Sequence, residues 1–155
     1  MTLVALATGC DANSDCTEIG CTSRVSVSAA PGSGIWQAGN YGLDVSLDGE
    51  AVHCEFLLPD ALPAEGLDSL IDCGDVVRAS FVSRDDCSGG CSLTDEYDLQ
   101  LLFFKLPEKV DVKLTRDGES VLDESRAIEY HEVFPNGPEC GGTCQQAKVD
   151  LVVAP

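Results

Sequence analysis

Apolar and polar side chains change places at every second position along most of this chain, which is the period of a half-buried β-strand and not of a helix. Val25, Val27 and Ala29 alternate with Arg24, Ser26 and Ser28. Tyr41, Leu43, Val45 and Leu47 alternate with Gly42, Asp44 and Ser46. After Asp48-Gly49 the alternation resumes, with Val52, Cys54, Phe56 and Leu58 on one face and His53 and Glu55 on the other. An Asp-Gly pair between two such runs predicts a tight hairpin, because both residues tolerate the positive φ of a type I′ turn. The stretch Asp44-Val-Ser-Leu-Asp-Gly-Glu-Ala-Val52 is matched by Asp111-Val-Lys-Leu-Thr-Arg-Asp-Gly-Glu-Ser-Val121 once a two-residue insertion is allowed. A second strand, Asp-Gly turn, strand unit is therefore expected. A duplicated module and two hairpins sharing one turn chemistry both account for the match.

Further strands are expected at 76–83, 97–104, 110–116, 121–133 and 145–153. The run Leu99-Gln-Leu-Leu-Phe-Phe104 is apolar on both faces, which places it inside a sheet. Leu67, Leu70 and Ile71 fall at helical spacing after Pro63, as one short helix over an edge would require. About eight strands with almost no helix predict an all-β fold: an antiparallel β-sandwich, immunoglobulin-like or of a related Greek-key type. The Cys…Trp…Cys spacing of antibody domains is absent. Trp36, in Pro31-Gly-Ser-Gly-Ile-Trp36, is expected to plug one end of the core.

Composition adds compartment and partner class. A chain of 155 residues with 44% hydrophobic content is long enough to bury one core. Its 27 acids against 9 bases give a net charge of -18. Residues 1–77 hold 12 acids and only Arg24 as a base; residues 78–155 hold 15 acids and 8 bases. Neither half offers the Lys/Arg stripe that phosphate binding requires, so nucleic acid is excluded as a partner. Anionic lipid headgroups would repel such a surface, and no apolar run approaches the ~20 residues of a spanning helix.

The nine cysteines are an odd number. The first ten residues, Met1-Thr-Leu-Val-Ala-Leu-Ala-Thr-Gly-Cys10, are apolar, uncharged, and end in small residues before a cysteine. They resemble the end of a bacterial lipoprotein signal peptide, although the basic n-region is missing and Ala7 stands where Leu is usual. That resemblance implies cleavage before Cys10 and a diacylglycerol thioether with further acylation, such as palmitate, on it. Eight cysteines then remain to pair: Cys16, Cys21, Cys54, Cys73, Cys87, Cys91, Cys140 and Cys144. Disulfides belong to oxidising compartments, in agreement with a signal. The simplest of roughly a hundred connectivities joins neighbours: Cys16 to Cys21, Cys54 to Cys73, Cys87 to Cys91 and Cys140 to Cys144. Residues 1–9 are thus read as a partial signal, 10–20 as a lipidated acidic tether and 21–155 as one domain.

Local chemistry is sparse. Cys87-Ser-Gly-Gly-Cys91 and Cys140-Gly-Gly-Thr-Cys144 share a C-x3-C spacing that could supply four thiolates to zinc, with two disulfide-closed loops as the simpler reading. Asp11-Ala-Asn-Ser-Asp15 begins like a calcium loop, but Cys16 and Thr22 occupy its glycine and glutamate positions. His53 and His131 are the only histidines, each with a glutamate, Glu55 or Glu129, on the same outward face. His131-Glu132 starts a zinc-protease motif that Pro135 ends. No nucleophile elbow, P-loop or dinucleotide turn is present. The chain is similar to cysteine-rich bacterial lipoproteins, and the expectation is a non-enzymatic module without a cofactor. It would be held to the membrane through its lipid alone, with a protein or glycan as partner. The candidate binding loops are 31–40, 84–96 and 134–144. A metal-dependent protein, including a hydrolase built on His53 or His131, and a secreted inhibitor are the alternatives.

Overall fold

The computed structural model describes residues 20–60, 71–86 and 92–155. The expected signal, Cys10, Cys16, the helix around Leu67 and Leu70, and the Cys87–Cys91 pair lie outside the described residues. Nine strands are present among the rest: β1 (Arg24–Pro31), β2 (Gly39–Leu47), β3 (Glu50–Leu58), β4 (Arg78–Asp86), β5 (Ser92–Phe103), β6 (Lys109–Arg116), β7 (Glu119–Ala127), β8 (His131–Val133) and β9 (Cys144–Val153). They form a sandwich of two sheets, in the orders β4-β5-β1-β9-β8 and β3-β2-β6-β7. Alternation sets which face each strand buries. Val25, Val27 and Ala29 of β1, Leu43, Val45 and Leu47 of β2, Leu99, Leu101 and Phe103 of β5, and Val110, Val112 and Leu114 of β6 meet in one core. No polar or charged side chain is buried among the described residues. β5 is an inner strand, as its apolar run predicts, although Phe104 just beyond it is exposed.

The first and last strands pair in parallel, Arg24 opposite Gln146 through Pro31 opposite Val153. Parallel strands begin at the same end of a sheet. Cys21, just before β1, and Cys144, the first residue of β9, therefore meet and form a disulfide with Cα atoms 5.6 Å apart. This corrects the expected neighbour pairs Cys16–Cys21 and Cys140–Cys144. Short spacing along the chain was the wrong guide, because the β1–β9 pairing brings together two cysteines separated by 123 positions. Cys140 is disulfide-bonded too, but not to Cys144. The Cys54–Cys73 pair forms as expected. In the chain-entropy picture a cross-link over 123 residues contributes about 5 kcal/mol and one over 19 about 3.

Both Asp-Gly turns form with positive φ throughout: 50° and 92° at Asp48-Gly49, 50° and 85° at Asp117-Gly118. Their hairpins pair edge to edge through β2 and β6, with Val45 opposite Val112. Each turn aspartate then reaches the first residues of the other hairpin. Asp48 accepts from the amides of Glu108 and Lys109 at 3.1 and 3.0 Å, and its own amide donates to the Lys109 carbonyl. Asp117 accepts from the Asn40 amide at 2.9 Å, and its amide donates to the Asn40 carbonyl. The internal repeat is thus a pair of hairpins related by a local two-fold, each fastened by the other's turn. Aligned on the turns, Asn40 falls on Lys109 and Asp44 on Lys113, so β2 and β6 need no insertion.

The asymmetry lies in β7. Leu114 faces Leu122 but Thr115 faces Ser120, which leaves Val121 as a bulge residue. Val121 and Leu122 are consequently both buried, and the Val121 carbonyl accepts from the amide of Ala154 beyond β9. The expected strand over 121–133 is split because the chain must cross between sheets. Ile128 and Tyr130 make the crossing, held by the Ile128 amide on the Glu108 carbonyl and the Tyr130 hydroxyl on the Pro107 carbonyl.

Asp48→Ala and Asp117→Ala should each lower unfolding free energy by about 1–3 kcal/mol, through lost bonds to backbone amides and an alanine held at positive φ. The Asn variants should lose less. Urea denaturation of the four variants checks this, and full tolerance at either turn would contradict the reciprocal clamp.

Candidate functional site

The hairpin register builds one constellation on the outer face of the four-stranded sheet. With Leu47 opposite Glu50, counting outward from the turn puts Asp44 opposite His53 and Gly42 opposite Glu55; on the other side, Lys113 faces Asp44 and Thr115 faces Gly42. These residues alternate with the buried ones and so point away from the core. His53 Nδ1 lies 2.7 Å from Asp44 Oδ1, and its Nε2 lies 3.6 Å from Glu55 Oε1. The expected Glu55 partner is therefore the more distant one, and Asp44 across the strand pair is the close one. The hydrogen bond and charge of Asp44, with a smaller contribution from Glu55, raise the His53 pKa above its ordinary 6.5.

Beside this pair the sheet surface dips into a shallow groove of about 750 Å³, lined by Asn40, Gly42, His53, Glu55, Leu57 and Thr115 among others. Gly42 sits in an inner strand, where glycine weakens pairing and marks a close approach. A Cβ there would stand 2.8 Å from Thr115 Oγ1, which donates to the Gly42 carbonyl at 3.3 Å. Gly42 and Gly118 leave backbone exposed in the groove, and His53, Thr115, the Glu55 and Asp117 carboxylates and the exposed Leu57 stand around it. Such an open, polar surface can take an extended chain in water.

His131 opens β8 opposite Gln146, whereas Glu129 lies in the crossing segment before it, so the two do not share a strand. Among the described residues no three His, Cys, Asp or Glu side chains converge as metal ligands. Cys140 and Cys144, both disulfide-bonded, have no thiolate to offer zinc.

The candidate loops fall at opposite ends of the sandwich. Loop 31–40 lies at the same end as the last residues of β4 and the first of β5, and Trp36 Nε1 donates to the Tyr97 carbonyl at 2.9 Å. Trp36 plugs that end, packing edge-on against Tyr41 and Phe81, while Tyr41 stacks on Phe56. Burial raises the Tyr41 pKa, and its hydroxyl donates to the Gln37 carbonyl. Loop 134–144 lies at the other end, beside the Cys21–Cys144 bridge. Loops 31–40 and 134–144 therefore make no single surface, and residues 87–91 of the third loop lie outside the described residues. No family model, curated protein or solved structure matches the chain.

A histidine with a raised folded-state pKa adds stability that is complete below the unfolded value near 6.5 and disappears as pH rises through the folded value. Asp44→Asn should move the His53 NMR titration midpoint down toward the ordinary value and flatten this dependence. A midpoint unmoved by Asp44→Asn would remove Asp44 as the cause.

Proposed function

We propose that this chain is an envelope-anchored, non-enzymatic lipoprotein module that presents its sheets and loops to a partner, with Cys10 as the lipid attachment site. The small residues before Cys10, the cysteine left over when eight pair, and an acidic body that needs a lipid to stay at a membrane all support the reading. The observation that carries it is the Cys21–Cys144 disulfide. Such a bond persists in an oxidising compartment, outside the reducing cytosol. It also lies where the tether would enter the folded body. Load on the tether would be shared through it between β1, in the middle of the five-stranded sheet, and its neighbour β9, so β1 is not peeled away alone. A construction of this kind suits a domain that is held at its N-terminal side and binds with the rest of its surface.

Cys10→Ser, expressed in the native host, should move the protein from the membrane fraction to the soluble fraction without changing its thermal stability. Unchanged partition would overturn the lipid anchor.

A further inference from the structure

Four strands stand at sheet edges: β4 and β8 in one sheet, β3 and β7 in the other. An open edge is a template for another strand, and proteins blunt such edges by bulges, shortness or cover. β4 carries a register shift between Ser83 and Asp85. β7 carries the Val121 bulge and the bond from Ala154. β8 is three residues long. Among the described residues, β3 has none of these devices. Its nine residues pair with β2 without a shift, from Glu50 opposite Leu47 to Leu58 opposite Gly39. The Cys54–Cys73 bridge fastens the chain at Ile71–Cys73 to the core side of β3, since Cys54, Ile71 and Cys73 are all buried. On the outer side His53, Glu55 and Leu57 stay exposed, Leu57 by 63%.

We propose that β3 is a strand-addition site for an extended segment of another protein, carrying a basic side chain beside Glu55 and an apolar one beside Leu57. An added strand would extend the outer face by one row, and its side chains would border the Gly42 groove. Main-chain bonds to β3 would supply affinity and the alternate side chains specificity. Charge decides the occupant. A second copy would bring -18 against -18, whereas a basic strand meets Glu55 and the Asp44 carboxylate behind His53. The proposal rests on the partner-binding part of the reading above and is independent of the lipid at Cys10.

The test uses the full chain and a ten-residue peptide of alternating lysine and valine. A second peptide of the same sequence is N-methylated at alternate amides, which keeps the charge and removes the ladder. The unmodified peptide should bind at low ionic strength and slow hydrogen exchange at alternate β3 amides by about tenfold or more. The N-methylated peptide should bind about tenfold more weakly. Glu55→Lys should weaken binding, while Asp150→Lys, the same charge change on the other sheet, should leave it intact. Equal binding of both peptides would mean general charge attraction and would overturn the proposal. So would protection mapped to another strand, absence of binding, or a dimer of this chain that forms through β3 in sedimentation. Each of these outcomes leaves membrane partition of the Cys10→Ser variant unaffected, so the two readings fail separately.

Discussion

The parallel pairing of β1 with β9, fastened by Cys21–Cys144, is the constraint on which the other layers depend. β1 stands in the middle of the five-stranded sheet, antiparallel to β5 on one side and parallel to β9 on the other. Neighbouring parallel strands need a long connection. Here the connection is nearly the whole domain, so the sheet is complete only when the last strand arrives. The entropy of closing so long a loop is large, and the disulfide removes it from the unfolded ensemble. Ala154 then ties the strand end to the Val121 bulge, which locks the second sheet to the first. Closure of the chain and closure of the sandwich are one event.

The four-stranded sheet is organised differently. Its order comes from two Asp-Gly hairpins whose turn aspartates clamp one another's strands, a local device that needs no cross-link within it. That symmetry sets the outer face of the sheet. It puts Gly42 between Glu55 and Thr115 and Asp44 between His53 and Lys113, and it leaves a polar, acidic surface over an apolar core. The one departure, the bulge at Val121, blunts β7, and β3, its counterpart in the other hairpin, pairs without a shift.

Strand positions were legible wherever one face is wet, because burial then writes a period of two into the sequence. The turns at Asp48-Gly49 and Asp117-Gly118 were legible from backbone chemistry alone. The His53–Asp44 pair could have been found as well: a two-residue turn fixes the register, and counting back from Asp48-Gly49 puts those residues opposite. Sequence neighbours such as Glu55 distracted from it. The Cys54–Cys73 pair was legible as a short local loop, but the partner of Cys144 was not. Which of Cys16, Cys21, Cys140 and Cys144 meet depends on the β1–β9 pairing, and nothing local to either strand announces a partner so far along the chain. The break at Ile128–Tyr130 was hidden for a related reason, since a chain crossing between sheets still packs its apolar residues, half-buried, against the core and reads like a continuing strand.

The chain is a disulfide-closed sandwich with all its described charges at the surface. Its central claim is the connectivity that closes it. Digestion of the unreduced protein, with mass spectrometry of the cross-linked peptides and backbone fragmentation between Cys140 and Cys144, tests this most directly. The account predicts Cys21 joined to Cys144 and Cys54 joined to Cys73. A Cys140–Cys144 ring would contradict it.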